Sequence, residues 1–93
     1  MNKRQLVATA ARKTSLTHRQ MGEALEALLE TIAEALEEGD YVALSDFGRF
    51  SVQEYVGRRL SRFGKQGHYA VESRLIPIFK SSQVLRQRLR RNE

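Results

Sequence analysis

Around Gly39 the apolar residues of this chain change their spacing, and that change sets the fold class. Upstream, Met21, Leu25, Leu28, Leu29, Ile32 and Leu36 recur every three or four positions, the spacing that lines one face of an α-helix. Glu23, Glu26, Glu30, Glu34 and Glu37 lie mostly off that stripe. Downstream, Tyr41, Val42, Ala43 and Leu44 read as a strand, and apolar and polar residues alternate again from Phe50, the period of an extended chain with one packed face. Helices followed by strands predict an α+β domain.

The element ends carry their own chemistry. Asn2 with Gln5, and Thr17 with Gln20, are spaced as helix-capping pairs, each side chain serving a backbone N–H that the first turn leaves free. Leu6, Val7, Ala10 and Ala11 then form the face of a first helix running to about Lys13, and Leu16 is placed to staple the second. Gly39 stands where the second helix must stop. Its stripe covers barely two heptads, too short for a coiled-coil seam, so core packing is the better reading. Asp46-Phe47-Gly48-Arg49 is a turn, with Gly48 free to take positive φ. Leu75 to Phe79 form a third strand, in which Pro77 belongs at an edge or a strand end because it has no N–H to donate. Ser81 or Ser82 caps a last helix, with Val84, Leu85 and Leu89 inward and Arg86, Arg88, Arg90 and Arg91 mostly outward. The chain divides into a helical base at 1–40, a sheet at 41–80 and a C-terminal helix at 81–93, all within one domain, 1–93.

The sheet carries an insertion that cannot pack on itself. Val56 to Val71 contains four Arg or Lys, three Gly and no acid. It reads as a protruding β-ribbon arm. Cations guard a ribbon edge against pairing with other edges, which explains one or two of them but not the absence of any acid. Charge is segregated on the larger scale too: residues 1–46 have a net of −3, residues 47–93 a net of +8, and the whole chain +5. Such an asymmetry points to a polyanion partner for the second half. A two-stranded ribbon enters a groove of duplex DNA, and Lys and Arg on it neutralise phosphates. Phe63 stands between Arg62 and Gly64 at the tip. It either packs back on Leu60 or Tyr69, or wedges between base pairs and kinks the duplex.

Other chemistries find no support. There is no Cys, which excludes a disulfide framework and thiolate metal sites. No apolar run approaches the ~20 residues of a membrane span, and the basic N-terminus lacks the apolar core of a signal peptide. Asp46-Phe47-Gly48 matches a kinase tripeptide without any other kinase element. His18 and His68 stand alone, with no metal-ligand spacing around them. No catalytic constellation is present, so neither enzyme activity, nor metal, nor cofactor is expected.

The opening Met-Asn-Lys-x-Gln-Leu, the Leu-Glu-Glu-Gly-Asp ending the second helix, the Phe-Gly-x-Phe of 47–50 and Pro77-x-Phe79 together resemble the bacterial histone-like DNA-binding proteins of the HU/IHF family. The resemblance covers essentially the whole chain. It implies an intertwined dimer with a helical base, two three-stranded antiparallel sheets forming a saddle, and two arms reaching around double-stranded DNA in the minor groove. A homodimer is implied, and a heterodimer with a related chain is compatible. The implied setting is the cytoplasmic nucleoid, and the implied action is to bend or compact DNA largely without sequence preference. A site-preferring, IHF-like relative and an RNA binder remain the alternatives. Arg58 falls on a basic arm position, Phe63 on the intercalating tip proline, Lys80 on a phosphate-contacting position and Arg86 on a basic position of the last helix. The tip departs from the family signature: Ser61-Arg62-Phe63-Gly64-Lys65-Gln66 stands for Arg-Asn-Pro-x-Thr-Gly, and a one-residue slip would put Gly64 at the wedge. Tyr55 replaces a third basic arm residue. Candidates for DNA contact are Lys3, Arg49, Arg58, Arg59, Arg62, Phe63, Lys65, His68, Arg74, Lys80, Ser81 and Arg86. Candidates for the dimer core are Leu25, Leu29, Ile32, Leu36, Leu44, Phe47, Phe50 and Phe79.

Overall fold

Both capping pairs form, and they set where the helices begin. In the computed structural model, which describes residues 1–56 and 73–90, Asn2 Oδ1 accepts from the Gln5 amide and Gln5 Oε1 accepts from the Asn2 amide, each at 2.9 Å. This starts α1, Lys3–Ala11. The helical run closes with turn bonds from Lys13 and Thr14, and Thr14 Oγ1 donates back to the Ala11 carbonyl. The expected end near Lys13 therefore includes this closing turn. Thr17 and Gln20 make the same reciprocal pair and start α2, His18–Glu37. At its end Gly39 adopts φ 79°. The Gly39 amide reaches the Leu36 carbonyl and the Asp40 amide reaches Ala35, both at 2.9 Å, the paired bonds that close a helix on a left-handed residue.

The chain divides into two compact units, Met1–Glu34 and Ala35–Glu93. In the first, α1 and α2 approach where α2 has no side chain: a Cβ on Gly22 would lie 4.0 Å from Val7 Cγ1. Lys3 Nζ and Glu26 Oε2 bridge the pair at 2.7 Å. Ala11 is the one buried apolar side chain among the described residues. The apolar stripe of α2 is only part-covered, with Leu28 61% and Leu29 41% exposed.

The second unit is a three-stranded antiparallel sheet in the order β1-β2-β3, with β1 Val42–Leu44, β2 Gly48–Val56 and β3 Ser73–Ser81, followed by α3, Gln83–Leu89. Tyr41 lies just before β1 rather than inside it, and β3 extends beyond the expected Leu75–Phe79 at both ends. Pro77 pairs with Val52 in β3, an edge strand, where its missing N–H costs no ladder bond on the open side. Ser82, not Ser81, caps α3, its Oγ accepting from the Leu85 amide at 3.0 Å. Leu85 is half-buried, but Val84 and Leu89, expected inward, are exposed in the single chain. The β1–β2 turn also differs from expectation. Asp46, not Gly48, takes the left-handed conformation, at φ 66°. Gly48 is required for closeness instead: it is buried, and a Cβ there would strike the Phe79 ring and lie 2.8 Å from the Lys80 carbonyl oxygen.

Register fixes the two faces of the sheet. Phe50 opposite Phe79, and Val52 opposite Pro77, share one face with Val42 and Leu44. The Phe50 and Phe79 ring centroids lie 4.9 Å apart, and Phe47 joins Phe79 at 5.8 Å, within the range of favourable tilted ring pairs. The expected arm, 56–71, lies outside the described residues except for Val56 at the end of β2.

Candidate nucleic-acid interface

Alternation along β2 puts every second residue from Arg49 on the face opposite the phenylalanines. Arg49, Ser51, Gln53 and Tyr55 stand there, across from Lys80, Ile78, Ile76 and Arg74 in turn. The sheet thus gathers Arg49, Lys80 and Arg74, which are far apart in sequence, on one exposed face. Arg49 and Lys80 are direct cross-strand partners. Like charges in that position weaken a strand pair, so the arrangement costs stability unless an anion lies across both.

The two arginines of this face lie over rings. The Arg49 guanidinium carbon sits 3.9 Å from the Tyr41 ring centroid, and that of Arg74 sits 5.3 Å from Tyr55. The ion pairs found among the described residues, Lys3–Glu26 and Arg19–Glu23, are both in the helical unit. At the strand–helix junction, Arg86 Nη1 donates to the Ser81 carbonyl at 2.7 Å and to Ser81 Oγ at 3.2 Å. That ties Nη1 of the exposed Arg86 side chain to the end of β3. Arg86 and Arg90 then share one side of α3 with Gln83 and Gln87.

Of the expected DNA contacts, Arg49, Arg74 and Lys80 come together on the sheet face, and Ser81 and Arg86 meet at its end. Lys3 belongs to the helical unit, where Glu26 holds it. Arg58, Arg59, Arg62, Phe63, Lys65 and His68 lie outside the described residues. Tyr41 was not foreseen as a partner of Arg49, nor Tyr55 as one of Arg74. Alternation from Arg49 would have put Tyr55 on the basic face, but its pairing with Arg74 needs the β2–β3 register. Among the described residues no three His, Asp or Glu are grouped to hold a metal ion, and no helix is long and apolar enough to cross a membrane.

A model of the family described as "Bacterial DNA-binding protein" matches residues 1–90. The chain belongs to that family. It is 32% identical over 89 residues to DNA-binding protein HU of Clostridium pasteurianum, covering 96% of this chain and 98% of that one. It is 36% identical over 86 residues to integration host factor subunit alpha of Rhodospirillum rubrum, covering 91% of this chain and 81% of the other. Its fold resembles that of HU in the Anabaena HU–DNA cocrystal structure, with a TM-score of 0.77 at 36% identity, over 96% of this chain and 97% of that one. Among the described residues, three helices and a three-stranded antiparallel sheet give it the α+β fold of HU proteins.

Proposed function

We propose that this protein is an architectural, histone-like DNA-binding protein of the bacterial nucleoid. Two copies form a homodimer and hold double-stranded DNA largely without sequence preference, bending or compacting it. The observation that carries this reading is the exposed sheet face on which Arg49 stands directly opposite Lys80, with Arg74 further along. A strand pair that stacks its cations in this way is adapted to a partner with closely spaced negative charge. The basic arm sequence, with Arg58, Arg59, Arg62 and Lys65, extends the same charge, and a dimer carries two such surfaces. Family membership and the likeness to HU of the Anabaena cocrystal support the same partner. Arginine and lysine side chains on the sheet face suit phosphate contact, which is independent of sequence.

The test is a salt titration with random-sequence duplex. Each phosphate neutralised lowers log K against log salt by roughly 0.9 in slope. The expected result is a slope steeper than −3, reduced by about 1 in each of Arg49→Gln and Lys80→Gln. A flat response would remove the proposal. The likeness to an integration host factor subunit favours a second reading, a site-preferring member that pairs with a different chain. Competition between random duplex and a site selected from a random library separates the two: equal competition supports the first, strong preference the second.

A further inference from the structure

We propose that Tyr41 and Tyr55 are positioning residues for DNA binding, each holding an arginine of the sheet face in the pose that meets a phosphate. The inference rests on the DNA-binding reading and goes beyond it, because neither tyrosine would be singled out by charge.

Two separate pairs carry it. Tyr41 precedes β1 and Arg49 lies in β2, so the first pair joins neighbouring strands at one end of the sheet. Tyr55 and Arg74 are direct cross-strand partners at the other end, on the same face. From Arg49 to Tyr55 is six steps along β2, about 20 Å at the ~3.3 Å rise of a strand, which spans several phosphates of a duplex backbone. All four side chains are exposed. An exposed tyrosine on a charged face gains little from its neighbours, yet each ring here has a guanidinium carbon over it, at 3.9 Å for Arg49 and 5.3 Å for Arg74.

Geometry gives the arrangement its use. A guanidinium presents its five N–H donors in its own plane. A carboxylate partner would occupy two of them, whereas a ring holds the cation through its face and offers no carboxylate oxygens to claim those donors. The ring contact also restricts a long, rotamer-rich side chain before DNA arrives, which lowers the ordering cost of binding. A ring therefore orders the arginine without neutralising it, and the positive charge stays available to phosphate.

The test is a double-mutant cycle on the full chain, read as affinity for random duplex and as its salt slope. Tyr41→Leu and Tyr41→Thr are expected to weaken binding about two- to fivefold, the size of an exposed cation–π contact. Their salt slope stays that of the wild type, because the Arg49 charge is still present. Tyr41→Phe keeps the ring and is expected to bind as the wild type does. In an Arg49→Gln background Tyr41→Leu should have no further effect. Tyr55 and Arg74 form a second, independent cycle, with a smaller expected effect at the longer distance. An additive cycle at either pair overturns the assignment for that pair. Loss of binding in Tyr41→Phe equal to that in Tyr41→Leu also overturns it, since the hydroxyl would then be the contact. If the wild type itself shows no salt-dependent DNA binding, the functional reading fails along with this one. Wild-type binding with an additive cycle removes only the positioning role.

Discussion

At the scale of single residues, two glycines do different work, and only one of them was readable in advance. Gly39 follows an apolar stripe and an acidic helix end, and a helix C-terminus needs a left-handed residue there; sequence pattern and structure agree on it at φ 79°. Gly48 looked like a turn glycine, yet Asp46 takes the positive φ. What Gly48 supplies is room for the ring of Phe79 against the strand. That need was invisible in the sequence, because it depends on which residue of β3 lies across from β2. Gly48→Ala should therefore destabilise the protein by about 1–3 kcal/mol, as overpacking does where backbone blocks relief. The Lys80 carbonyl, 2.8 Å from the added carbon, is such a block. Chemical denaturation of the variant beside the wild type measures this, and an unchanged midpoint would count against the close approach.

At the scale of elements, the helices were legible because caps and periods are local signals. Asn2 with Gln5 and Thr17 with Gln20 announce two helix starts from the sequence alone, and both form as reciprocal bonds. The sheet face was legible only in part. Alternation sorts residues of one strand onto faces, but the partner strand returns after a long insertion, so pairing Arg49 with Lys80 or Tyr55 with Arg74 needs a register that spacing does not supply. The last helix depends most on its cap. It has seven residues, too few to be stable through propensity alone, and the Ser82 hydroxyl serves the Leu85 amide. Ser82 also donates its own amide to the Phe47 carbonyl at 2.9 Å, tying the helix start to the β1–β2 turn. Ser82→Ala removes the hydroxyl and keeps the amide bond, so it should cost about 1 kcal/mol. The expected local consequence is faster amide exchange at Leu85 in the variant than in the wild type, with the strand amides little changed. Equal exchange in variant and wild type would mean the cap contributes nothing.

At the scale of the whole molecule, the unmet need is cover for apolar surface. Ala11 is the one buried apolar side chain among the described residues, while Leu28, Leu29, Leu44, Phe47 and Phe79 each keep 41% or more of their surface exposed. A small domain is marginal even with a full core, so a chain that leaves these side chains in water needs a second surface to cover them. We propose a second copy as that cover, with the stripe of α2 and the phenylalanine face of the sheet as its contact. Two consequences follow from mass action. Unfolding of the dimer releases two chains, so the thermal midpoint should rise with protein concentration across about a hundredfold range. A charge at the centre of the α2 stripe should then break assembly, because an unpaired ion buried between chains costs several kcal/mol. Leu29→Glu is therefore expected to sediment as one chain at micromolar concentration, to melt lower than the wild type, and to bind DNA far more weakly, since each particle carries one basic face instead of two. Arg49→Gln serves as the contrast: it should weaken DNA binding while leaving the sedimenting mass at two chains. A wild-type midpoint independent of concentration would remove the second copy as the cover, whereas a two-chain mass in Leu29→Glu would keep the dimer and remove the α2 stripe as its contact.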